Sequence, residues 1–240
     1  MLQCLKGNKE TKNEEKTSPP HRLKAFTLSE VLITLVIIGV ITAITIPLIT
    51  PSWQKTRTVS ALKKCYSTLA QTTDRAIADN GSIASWEVLD LTGREFAQQY
   101  LIPYLSVMNE KSSNKFEYTT LNKAGIERLR LYTFYLADGS KIGVGNPSES
   151  VWGIEASIYA DINGDAKPNI MGKDVFRFIY WIKHNHTSYS GKFIPYGGGW
   201  SRNNLINTEL PYGCRKDKTG GLCAALIMSD GWQIKSDYPW

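Results

Sequence analysis

A chain of 240 residues with 11% aromatic and 21% charged side chains is long enough for one medium domain plus a further segment, and its composition excludes a disordered polymer. The formal charge of +6 makes no case for nucleic acid, because residues 1–25 hold Lys6, Lys9, Lys12, Lys16, Arg22 and Lys24 against Glu10, Glu14 and Glu15, leaving +3 elsewhere without a basic block. Three histidines and four cysteines leave little material for a histidine-based catalytic site or a zinc finger.

Residues 1–25 are polar, and Ser18-Pro19-Pro20 breaks any helix there. The polar leader stops at Ala25. From Phe26 the chain is apolar, and Glu30 is the only formal charge before Ile49. As a helix rising about 1.5 Å per residue, the uncharged run Val31–Ile49 has the length of a bilayer core. A carboxylate near the end of such a run costs about 3 kcal/mol on insertion scales, so Glu30 is expected to have a partner. An ordinary signal peptide would place a small-x-small cleavage site after the apolar run, and Ile46-Pro47-Leu48-Ile49-Thr50-Pro51-Ser52-Trp53 offers none.

Lys24-Ala25-Phe26-Thr27-Leu28-Ser29-Glu30 and the apolar run behind it resemble the N-terminal signature of type IV pilins and type II secretion pseudopilins. In that family a basic leader ends in a small residue and is followed by Phe-Thr-Leu-x-Glu. The resemblance implies cleavage between Ala25 and Phe26 by a prepilin peptidase at the cytoplasmic face, and N-methylation of Phe26. It implies that Glu30 meets the Phe26 amine of a neighbouring subunit, and that the apolar helix kinks at Pro47. The partners it implies are other pilin or pseudopilin subunits and the assembly machinery of the cytoplasmic membrane. The protein would be a non-enzymatic, single-pass filament subunit with its body outside the cytoplasm, an orientation that the basic leader favours. One departure is Ala25, where glycine is usual. Two rivals stand beside this reading: a minor subunit that binds DNA or mediates adhesion, and a membrane-anchored enzyme.

Gly39 and Ala43 form a small-x-x-x-small pair, which either admits a neighbouring helix or reflects ordinary membrane-helix composition. Helix is expected to resume after Pro51, since Val59, Leu62, Tyr66, Leu69, Thr73, Ala76 and Ile77 recur at three- and four-residue steps. Asp79-Asn80-Gly81 supplies its stop. The expected organisation is a leader (1–25), a transmembrane and assembly helix (26–49), its amphipathic continuation (50–80) and a globular body (81–240). Thr92-Gly93-Arg94-Glu95 has the capping-box pattern of a second helix running through Tyr100 and Leu101. Residues 111–115 read as a loop. From about Leu129 the pattern turns extended: Leu131–Leu136 and Lys141–Val144 pair across an Asp138-Gly139 turn. Ile154–Ile162 and Val175–Ile182 read as two further strands, and Leu222–Met228 with Trp232–Lys235 as a terminal hairpin. A long helix followed by an antiparallel sheet makes the fold class α+β, as the pilin resemblance also implies.

Outside the anchor, the most specific stretch is Asp161-Ile162-Asn163-Gly164-Asp165-Ala166-Lys167-Pro168-Asn169, with Gly172 and Asp174 beyond. It links two expected strands. Asp161, Asn163, Asp165 and Asp174 could ligate a hard cation such as calcium, or the segment is an Asn-Gly turn closed by its own side chains. The EF-hand spacing is not met. No cofactor is otherwise required. Cys214 and Cys223 flank a turn-rich loop; in an exported body they form a disulfide, the alternative being a zinc pair that lacks its second half. Cys65 reads as a small buried hydrophobe. His184 and His186 read either as a metal pair or as part of a solvated loop. Asp237-Tyr238-Pro239-Trp240 docks either on the body or on a partner.

Overall fold

The computed structural model describes residues 26–111 and 115–240, with backbone alone for 44–51, 110 and 111. Two compact units divide the chain between Leu48 and Ile49. Helix α1 (Leu28–Asn80) supplies the whole regular structure of the described part of the first unit and the opening element of the second. Its helical backbone runs through Pro47 and Pro51, so the segment expected as a continuation of the apolar helix belongs to the same helix. A proline removes one intrahelical hydrogen bond and need not end the helix. The side chains of both prolines, and the bend expected at Pro47, lie outside the described residues, as do residues 1–25.

In the second unit, α1 is followed by a 3-10 turn at Ile83–Ser85 and helix α2 (Gly93–Tyr100). The Thr92–Glu95 capping box forms, Thr92 Oγ1 accepting the Glu95 N–H and the Glu95 carboxylate accepting the Thr92 N–H. Strands β1 (Val107–Lys111), β2 (Lys115–Thr119), β3 (Ile126–Arg130), β4 (Tyr132–Leu136), β5 (Lys141–Val144), β6 (Ser148–Ser150), β7 (Gly153–Asp161), β8 (Val175–His184) and β9 (Lys192–Pro195) follow, then helices α3 (Arg202–Asn207) and α4 (Cys223–Ser229). Seven strands make one sheet in the order β1-β4-β5-β7-β8-β9, with β6 also on β7. All of its pairings are antiparallel, and β2–β3 is a separate hairpin.

The core forms where the periods of helix and strand meet. Ala156, Ile158 and Ala160 of β7 and Phe176, Phe178, Tyr180 and Ile182 of β8 alternate onto one face and are fully buried. They share a core with Leu62, Cys65, Leu69 and Ala76 of α1, spaced at helical intervals. Tyr66 stacks on Phe178 and Phe193 at centroid distances of 5.6 and 5.7 Å. Thr73 Oγ1 and Tyr180 hydroxyl are hydrogen-bonded at 2.5 Å within this layer, and Thr73 also donates to Leu69 O when the tyrosine is the other donor. On the opposite sheet face, Phe116, Tyr118, Leu131, Tyr159, Met171 and Val175 form a smaller cluster under the β2–β3 hairpin. Gly143 makes this cover fit, because a Cβ there would stand 2.7 Å from Phe116 and 2.8 Å from Leu131.

The terminal hairpin is overturned. Cys223–Ser229 is helix α4, and residues 230–240 form turns with no strand. Cys-Ala-Ala-Leu-Ile-Met is apolar throughout, so periodicity cannot separate buried strand from buried helix. Alanine, leucine and methionine favour the helix, and residues 223–227 are buried on every side. Extended structure also begins earlier than expected, at Val107. The closing tail docks on the body: Tyr238 is buried and its hydroxyl donates to Gly172 O.

Cys214 and Cys223 are joined in a disulfide with Cα atoms 4.8 Å apart. The bridge pins the start of α4 to the loop after α3, where Cys214 N also donates to Leu205 O. Replacing both cysteines with serine is expected to lower unfolding free energy by about 2–3 kcal/mol, the chain-entropy value for a loop this short. Denaturant midpoints of the oxidised protein and the double variant measure it. Equal midpoints would show that packing of α3 and α4 holds the loop unaided.

Candidate functional site

The head of α1 is built around one carboxylate. Glu30 Oε2 accepts hydrogen bonds from the Thr27 backbone N–H and hydroxyl, both at 2.9 Å, while the Glu30 N–H donates to Thr27 Oγ1 at 3.2 Å. This is a second capping box, with the same Thr-x-x-Glu spacing as Thr92–Glu95. The sequence reading passed over it, although the spacing alone signals it. It satisfies backbone donors that a helix start leaves open.

Behind this cap the segment is apolar and uncovered. Phe26 is 84% exposed and Leu28 78%, and every residue from Val31 to Ile41 except Thr34 and Gly39 presents an exposed apolar side chain, on all sides of the helix. Thr34 and Thr42 turn their hydroxyls onto Val31 O and Ile38 O, so those polar groups are satisfied within the helix. A Cβ at Gly39 would meet nothing within 4 Å. Among the described residues no helix is long and apolar enough to cross a membrane. The described side chains stop at Ala43, and the remainder of the expected span falls on residues 44–49, whose side chains are not described. Ala25, the residue before the expected cleavage, lies outside the described residues.

The second candidate is the loop between β7 and β8, and it brings only part of its expected set together. Asp161 and Asp174 are buried, 2% and 4% exposed. Asp174 Oδ2 accepts from Asn169 N at 2.7 Å and Asn163 Nδ2 at 3.3 Å, and its Oδ1 accepts from Ile170 N. Asp161 Oδ1 accepts from Asn163 N at 3.3 Å. Asp165 turns away, receiving Tyr135 hydroxyl at 2.7 Å and Lys141 Nζ at 3.1 Å. Both buried carboxylates thus face N–H donors of their own loop, where a cation would require oxygens. No group of three or more His, Cys, Asp or Glu side chains fit for a metal occurs among the described residues. The four expected calcium ligands do not converge, and the geometry is that of a turn closed by its side chains. The Oδ1 atoms of Asn163 and Asn169 are buried here and receive no donor from the described residues.

His184 and His186 do not form a metal pair either. Strand β8 ends at His184, whose Nδ1 accepts the His186 backbone N–H at 2.9 Å, and its ring lies against Trp181 and Tyr189. Cys65 is a free, buried thiol whose pKa burial pushes up to about 12.

A helix-led α+β chain headed by Phe26-Thr27-Leu28-Ser29-Glu30 has the make-up of a type IV pilin-like or pseudopilin precursor, and residues 21–46 match the prokaryotic N-terminal methylation motif, the prepilin-type signal. The body settles the family: over residues 49–240 the chain belongs to DUF6613, a family of unknown function. No curated protein and no solved structure matches the chain.

Burial, and then the charge of Asp174, push the Asp161 carboxyl up to about 8. Between about pH 4 and 8 the folded protein therefore holds this proton more tightly than the unfolded chain, and stability falls as pH rises, by at most about 1.4 kcal/mol per unit from this group. Asp161→Asn is expected to flatten the slope in a series of denaturant melts, and an unchanged slope would contradict the desolvated pair. Millimolar calcium is expected to leave the thermal midpoint of the native protein unmoved. A rise of several degrees would mean that the Asn163 and Asn169 amides turn their oxygens onto a bound ion.

Proposed function

We propose that the protein is a structural subunit of a type IV pilus-like or type II secretion pseudopilus filament, with no catalytic role. A prepilin peptidase cuts between Ala25 and Phe26, Phe26 is N-methylated, and subunits stack through α1. The observation that carries this reading is the head of α1: apolar side chains exposed all round, with Glu30 the single carboxylate held at the tip. Nothing within the chain's described residues covers that surface, so lipid covers it before assembly and other subunits cover it afterwards.

The apolar surroundings give Glu30 its role. In lipid a carboxylate without a cationic partner is costly, and the Thr27 cap supplies dipoles but no positive charge. Cleavage creates an amine one residue from that cap. The Phe26 amine of an adjacent subunit neutralises Glu30 and fixes the axial register between the two helices. Thr34 and Thr42, with hydroxyls bonded inside the helix, leave its sides free to pack against apolar neighbours.

Glu30→Ala is expected to be processed normally, with mass spectrometry finding Phe26 as the first residue, yet to fall at least about tenfold in sheared filaments, equivalent to ~1.4 kcal/mol of lost docking preference. Normal incorporation of the variant would defeat the pairing mechanism. Native material still beginning at Met1 would defeat the filament reading altogether.

A further inference from the structure

The end of the body nearest in the chain to the apolar segment carries a cleft of about 560 Å³ whose lining holds three basic side chains, Arg57, Lys167 and Lys173, against two acids, Asp138 and Asp174. Trp53, Arg57 and Thr58 of α1 line one wall, and Lys167, Lys173 and Trp240 line the other. Two cations are propped on two indoles: Arg57 Cζ stands 5.4 Å from the Trp53 ring centroid, and Lys173 Nζ stands 5.5 Å from that of Trp240. Thr58 Oγ1 donates to Lys173 O at 3.2 Å, tying the loop wall to the helix wall. Lys123 and Lys216 lie close enough to depress the Lys173 ammonium, after the larger effect of burial.

The acids nearby are already engaged. Asp174 is buried and takes N–H groups of its own loop, and Asp138 is held by Lys64 at 3.1 Å and by Ser140. A concentration of positive charge is left facing outward beside exposed tryptophan, Trp53 being 55% exposed. In chain order, Trp53 follows Ile49 by about one helical turn. Tryptophan and basic residues just beyond an apolar helix settle at the headgroup level of a bilayer, where the indole spans the polarity gradient and the cations meet phosphates.

We infer that the Trp53–Arg57–Lys173–Trp240 cleft seats the body on the phosphates of anionic lipid headgroups, in the leaflet facing away from the cytoplasm. The inference rests on the membrane-anchored reading above and adds a second attachment to it. Before assembly the subunit would be held both by its apolar helix and by a basic, aromatic seat on the membrane surface. Lys183 supplies an internal control, being exposed at the far end of β8 from Val175, where the loop carrying Lys167 and Lys173 enters the strand.

The test reconstitutes the full chain into vesicles of phosphatidylcholine alone or vesicles rich in phosphatidylglycerol. A membrane-impermeant amine reagent, read by mass spectrometry, reports each lysine. Lys167 and Lys173 are expected to label at least about fivefold more slowly in the anionic vesicles, and the protection to disappear in high salt as exposed charges are screened. Lys183 is expected to label at one rate throughout, and Arg57→Gln to restore most of the labelling at Lys167. Equal rates in both vesicle types, with the chain inserted, would overturn the inference and leave the filament reading intact. Protection by duplex DNA added to phosphatidylcholine vesicles, with none from phosphatidylglycerol, would overturn it in favour of a nucleic-acid ligand. Failure of the chain to float with phosphatidylcholine vesicles would sink the anchored reading and this inference with it.

Discussion

The structure depends on the layer where α1 lies across β7 and β8. Leu62, Cys65, Leu69 and Ala76 meet Ile158, Phe176, Phe178 and Ile182 there, all at most 1% exposed. Burying a side chain of this size is worth about 1.5–3 kcal/mol, so this one layer outweighs every exposed ion pair of the body. Area alone would let the helix slide. The bond between Thr73 and Tyr180 resists sliding, since displacement would leave two hydroxyls unpaired in an apolar layer. Because the layer fixes α1 within the body, it also fixes where Trp53 and Arg57 stand relative to the β7–β8 loop.

Much of this layer was legible in the sequence, because both of its periods are clean. The three- and four-residue steps of Val59 to Ile77 and the apolar runs of β7 and β8 each admit one reading. The Asp138-Gly139 turn was equally plain, with Gly139 at φ +86°. Strands β1 to β3 were not legible. Asn109, Glu117, Glu127, Arg128 and Arg130 give them a polar surface, and strand formation there is decided by pairing with other strands. α4 was misread for the opposite reason: a run buried on all sides carries no period.

The candidate sites divide along the same line. The Phe-Thr-Leu-x-Glu signature is local, and the sequence displays it in full. The β7–β8 loop is local in sequence, but the paths of its side chains are not. Tyr135 and Lys141, on neighbouring strands, draw Asp165 away from Asp161 and Asp174. Alternating oxygens therefore read as a ligand set when half of their purpose is to close a turn. The pairing of Trp53 with Trp240 across one cleft was equally hidden, since 187 positions separate them and only the docking of the tail joins them.

The two Thr-x-x-Glu caps begin helices in opposite surroundings. At Thr92 the cap belongs to a helix already anchored by Phe96, Ala97 and Tyr100 in the core, and it has only to hold. At Thr27 the same geometry rests on no tertiary contact, because every described side chain of that turn is exposed. The earlier cap can therefore be opened cheaply. Were the Glu30 carboxylate drawn to a cation outside the turn, the Thr27 N–H would lose its acceptor and the first turn would fray, trading one set of hydrogen bonds for another.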